Sequence, residues 1–94
     1  MRIFLFSFFL VIPTTAFLQT GAEELNLKAI ELVQAGKFQE AIVYYDSLIL
    51  QVPNDSTAYF DRGITKEFMH DYKGAIADYT KQLSIDKESV DSYF

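Results

Sequence analysis

The chain is expected to be an all-α repeat protein built from antiparallel helix pairs, and three observations predict it. The stretch Gly36-Lys37-Phe38-Gln39-Glu40-Ala41-Ile42-Val43-Tyr44-Tyr45 returns 34 residues later as His70-Asp71-Tyr72-Lys73-Gly74-Ala75-Ile76-Ala77-Asp78-Tyr79. Phe38/Tyr72, Ala41/Ala75, Ile42/Ile76 and Tyr45/Tyr79 keep both spacing and character, and Leu25/Tyr59, Ala29/Gly63, Ile30/Ile64 and Ile49/Leu83 carry the echo outward. A fixed period in this range marks stacked supersecondary units that share a core. Within each unit the apolar residues fall at helical spacing. Finally, the breaks between the periodic stretches are only a few residues long, which obliges neighbouring helices to lie antiparallel.

The first element is a leader. Met1 and Arg2 give a short positive start, and Ile3 to Ile12 is apolar apart from Ser7. Pro13 breaks the run, after which Thr14-Thr15-Ala16 and Thr20-Gly21-Ala22 each offer small residues for a cut. The cut after Ala22 is preferred because the acidic repeat begins at Glu23, so residues 1–22 read as a secretory signal peptide. An uncleaved anchor and a buried core helix are the alternatives. The run is shorter than the ~20 apolar residues that cross a bilayer. Four Phe among the first nine residues leave no polar face for a small domain to turn outward.

The repeat domain is then 23–94. Leu25, Ala29, Ile30, Leu32 and Val33 set a helix from Glu23 to Ala35, closed by Gly36. A second helix, Phe38 to Val52, places Ala41, Ile42, Tyr45, Leu48 and Ile49 on one side. Pro53-Asn54-Asp55 ends it, with Asp55 or Ser56 available to cap the next. The third helix is expected over Ser56–Met69 and the fourth over Tyr72–Ile85. A turn at Asp86-Lys87-Glu88-Ser89 should follow, with a fifth helix starting at Val90. The small Ala41 and Ala75 sit where a larger side chain would push the paired helix away.

Composition excludes several jobs. The chain carries 13 acidic and 8 basic residues, a net charge of −5. Without residues 1–22 it loses only Arg2, so seven cations face thirteen acids. Such a domain is repelled by phosphate backbones, and no nucleic-acid partner is expected. Without cysteine there is no disulfide, no thiolate and no site for a lipid. His70 could join Asp71 or Glu67 on a metal, but a lone turn histidine is ordinarily solvated and a site needs three or four ligands. The pairs Glu23/Glu24 and Glu67/Asp71 are more simply helix-dipole partners than acid–base groups. No phosphate loop or activated serine stands out, so no catalysis and no cofactor is expected. Asn54-Asp55-Ser56 fits the N-glycosylation pattern, a weak three-residue signal.

The 34-residue helix–turn–helix period resembles the tetratricopeptide repeat family, with repeats at 22–55 and 56–89 and the start of a third at 90–94. Large residues at the fourth position (Leu25, Tyr59, Tyr93), small ones at the eighth (Ala29, Gly63), the Ala41/Tyr45 and Ala75/Tyr79 signatures and Pro53 carry the resemblance. Lys28, Arg62, Lys66, Gln82 and Lys87 depart from it. The resemblance implies a right-handed α-solenoid whose concave face is lined by the first helix of each repeat. That face would carry Glu23, Asn26, Ile30, Val33 and Gln34, then Thr57, Phe60, Ile64, Glu67 and Phe68. The residues singled out for partner contact are Asn26, Ile30, Gln34, Phe60, Ile64, Glu67 and Phe68. Asn26, Ile30 and Asp61 stand where carboxylate-gripping members use Lys, Asn and Arg, so a chaperone-tail clamp is not expected. Phe60, Ile64 and Phe68 form an apolar stripe that suits either a groove for a peptide or packing against a third repeat; stacked repeats bury most such faces.

The expected function is therefore an exported, non-catalytic scaffold that binds a protein or peptide, in the periplasm or envelope of a bacterium or otherwise in the secretory pathway. One alternative is the N-terminal adaptor of a longer exported enzyme. The other is a small repeat protein that completes its core by homo-oligomerising, since two repeats lack the polar cap solenoids need.

Overall fold

The computed structural model of the chain describes residues 14–91. Among the described residues the fold is all-helical: α1 (Thr14–Gln34), α2 (Phe38–Gln51), α3 (Ser56–Phe68) and α4 (Tyr72–Asp91), with no strand. The leader run Ile3–Ile12 and the closing pair Tyr93-Phe94 lie outside the described residues.

The repeat is visible in how helices end. At the end of α1, Gly36 N–H donates to Val33 C=O at 3.0 Å and Lys37 N–H to Leu32 C=O at 2.8 Å. At the end of α3, 34 residues on, His70 N–H donates to Glu67 C=O and Asp71 N–H to Lys66 C=O, both at 2.9 Å. Both are Schellman turns through a left-handed residue, at φ 76° for Gly36 and φ 62° for His70. Glycine takes that conformation without a steric penalty, whereas histidine's Cβ costs about 1 kcal/mol there. Helix starts are less uniform. The Asp55 side chain accepts from Ala58 N–H at 3.2 Å and Asp71 from Gly74 N–H at 3.1 Å, while Lys37 makes no such cap.

Two boundaries differ from the sequence expectation by more than a fraying residue. α1 starts at Thr14 rather than Glu23, running without a break across the Ala22–Glu23 position chosen for cleavage. The turn at Asp86–Ser89 and the separate fifth helix are not formed, because α4 continues to Asp91. The reason lies in one substitution between repeats. Pro53 lacks an amide hydrogen and forces Val52 out of the helix, to φ −131°. Its counterpart Lys87 supplies the amide and favours helix, as does Glu88.

Packing follows chain order, α1 on α2, α2 on α3 and α3 on α4. Phe38 at the start of α2 meets Phe68 at the end of α3, and Asp46 meets Arg62 midway, so these two helices are antiparallel. The core cluster joins Ala29, Leu32, Ala41, Tyr45, Leu48 and Ala58 from the first three helices. Ala41 and Ala75 are both buried, as their small size at the helix crossings requires. Gly63 is needed for a similar reason, since a Cβ there would lie 2.7 Å from the ring of Tyr79.

Candidate functional site: the groove between α1 and α3

Because α1 and α3 both pack on α2, they lie side by side and leave a groove between them. Its larger part is a cleft of about 230 Å³ walled by Ile30, Val33 and Gln34 of α1 and by Asp61, Ile64 and Thr65 of α3, with the buried Tyr45 of α2 beneath. A second cleft, of about 140 Å³, lies between Ala22, Glu23 and Asn26 of α1 and the capping Asp55 with Thr57 and Ala58 of α3, over Leu48. Helical spacing produces both, as residues three or four apart on each helix turn to the same side.

Of the residues chosen from sequence, Asn26, Ile30, Gln34 and Ile64 line these clefts. Phe60, Glu67 and Phe68 are held elsewhere. The Phe60 ring lies 5.6 Å from Tyr79 of α4, and Glu67 accepts a hydrogen bond from the Tyr79 hydroxyl. Phe68 stacks on Phe38, with centroids 5.4 Å apart and planes within 11°. The stripe is thus split between two neighbours, although Phe60 and Phe68 stay 43% and 56% exposed.

Tyr45, Asp61 and Thr65 line the larger cleft but were not among the residues singled out for partner contact. The Tyr45 hydroxyl is pushed up to about 12 by burial and by the nearby charge of Asp61, against a hydrogen bond with Thr65. Thr65 is fully buried and donates its hydroxyl to the Asp61 backbone carbonyl at 2.8 Å. The Asp61 carboxyl is raised above its ordinary value, first by burial and then by the like charge of Asp55. Both of those causes oppose its ionisation.

The largest polar cluster lies on the opposite side of α3. Asp78 of α4 is buried, and its two oxygens accept from Arg62 Nε at 2.9 Å and Arg62 Nη2 at 2.7 Å. Lys66 Nζ stands 3.0 Å from the same carboxylate, and Arg62 Nη1 reaches Asp46 of α2 at 2.7 Å. The guanidinium also lies over the Tyr59 ring at 5.4 Å. Burial alone would raise the Asp78 carboxyl, but the hydrogen bonds from Arg62 and Lys66 outweigh it and hold it below the ordinary range. Arg62 is correspondingly raised, chiefly by its bonds to Asp78. One arginine therefore ties α2, α3 and α4 together.

His70 Nδ1 lies 3.0 Å from the Tyr72 hydroxyl. Among the described residues no group of three or more His, Cys, Asp or Glu side chains could hold a metal, and no helix is long and apolar enough to cross a membrane. Compared with known proteins, the chain matches no family model and no curated protein.

Proposed function

We propose that the chain is an exported, non-catalytic repeat module, a short α-solenoid of tetratricopeptide type, that binds a protein partner in the groove between α1 and α3. The observation that carries this reading is the groove itself. It unites Ile30, Gln34 and Ile64 from matching helices of the two repeats over a shared floor. Its walls mix apolar side chains with a few polar groups, the composition that gives a peptide both affinity and register. Export is supported by the apolar run before Pro13 and the small residues before Glu23. The work performed is scaffolding, with the binding energy supplied by apolar contact.

A display library of random peptides selected on the full chain tests this. Peptides that bind should lose at least about tenfold in affinity to Ile64→Glu, which puts a charge into the apolar wall. They should be indifferent to Leu50→Glu, because Leu50 is 83% exposed on α2. Binding that ignores Ile64→Glu would move the site elsewhere. A second reading, self-association, is favoured by one observation: the α4 side chains Ile76, Leu83 and Val90 are 64%, 63% and 55% exposed. Seven-residue spacing places these three on one stripe.

A further inference from the structure

The Asp61 carboxylate, in the larger cleft, stands apart from the other acids near it. Asp46 and Asp78 share Arg62, and Asp78 also takes Lys66, so the two cations of α3 are committed to the far side of the helix. Asp61 projects from the same helix towards α1, where the cleft walls are Ile30, Val33, Gln34 and Ile64. None of these carries a positive charge, and the charge that acts on Asp61 is the carboxylate of Asp55. Lys28, on α1, is 47% exposed beside Glu31 at 4.0 Å. A half-buried carboxylate between apolar walls with no cation is an unfavourable arrangement within the fold alone, and a cation from outside would relieve it.

We infer that the larger cleft is a pocket for a basic side chain, a lysine or arginine of the partner's bound segment, with Asp61 taking its charge. This rests on the groove reading above and names the partner's chemistry at one position. The apolar walls suit the methylene stem of such a side chain, and the Gln34 amide and Tyr45 hydroxyl lie at the same cleft for its polar head. The room, about 230 Å³, accommodates one long side chain. A basic residue flanked by apolar ones is therefore the sequence sought, and the acidic character of the chain favours its approach.

The probes are the tripeptide acetyl-Leu-Lys-Leu-amide and its norleucine analogue, which keeps the stem and lacks the charge. Each is titrated to millimolar concentration into the full chain, followed by amide chemical shifts. The expected result is movement of Ile30, Gln34, Asp61 and Ile64, with the lysine peptide about tenfold tighter. Asp61→Asn, checked for folding by its thermal melt, should bring the lysine peptide down to the norleucine level. Equal binding of both peptides in the cleft would overturn the basic-pocket inference and leave the groove standing. Failure of both peptides to move the cleft residues would overturn the groove as well.

Discussion

Ile49 and Leu83 stand 34 residues apart at matching places in α2 and α4, yet Ile49 packs against the core cluster and Leu83 is 63% exposed. The same contrast holds between half-buried Ile42 and Ile76 at 64% exposure. α2 lies between α1 and α3, whereas among the described residues α4 packs chiefly on α3. A repeated pattern therefore fixes what a helix can bury, while the number of neighbours decides how much it does. α4 compensates in another currency. Its inner face holds Asp78, whose bonds to Arg62 and Lys66 fasten it to α3, where the corresponding residue of α2 is Tyr44.

The largest expected effect breaks that fastening. Asp78→Ala leaves Arg62 and Lys66 without their shared carboxylate, and should cost about 3 kcal/mol in a denaturant melt at pH 7. Asp46→Ala, at the half-exposed end of the same network, should cost under about 1 kcal/mol. The native pKa of Asp78 is depressed, so its stabilisation is present above the ordinary carboxyl range and lost as pH falls through the lowered value. The deficit of Asp78→Ala should therefore close in strong acid, and a deficit independent of pH would assign the loss to packing.

Next in size is the direct comparison of the two helices. Ile49→Ala should cost about 1–2 kcal/mol and Leu83→Ala no more than about 0.5 kcal/mol. Equal losses would mean that something covers α4 in solution. Asp61→Asn should gain about 1 kcal/mol at pH 7, because it removes a half-buried charge. The native pKa of Asp61 is raised, so wild-type stability falls as pH rises through it. The advantage of Asp61→Asn should therefore fade in acid, opposite in origin to the Asp78 effect. Smallest is His70→Gly, which restores the residue found at Gly36 and should add about 0.5 kcal/mol to thermal stability.

Much of the fold was legible because backbone requirements leave plain marks. Gly36, Pro53 and Asp55 each ended or capped a helix as their chemistry dictates, and Ala29, Ala41 and Ala75 proved buried. The missing turn after Ile85 shows the limit of reasoning by repetition, since the break belonged to Pro53 and was not inherited by Lys87. The lining of the groove was legible in part. Apolar positions such as Ile30 and Ile64 follow periodicity, but the aromatic stripe did not stay together, because Phe60 and Phe68 found rings on different helices. Asp78 was missed because an acid between Ala75 and Gln82 looks like surface until Arg62 and Lys66 are set opposite it. Those two cations, both departures from the expected pattern, were the available signal.

Two surfaces are candidates for the proposed partner: the groove between α1 and α3, and the exposed stripe of α4. Amide chemical-shift mapping of the full chain with a peptide selected on it separates them in one experiment. The groove reading requires shifts at Ile30, Gln34 and Ile64, with Ile76, Leu83 and Val90 unmoved. Shifts along Ile76, Leu83 and Val90 with the groove silent would contradict it and make α4 the docking surface.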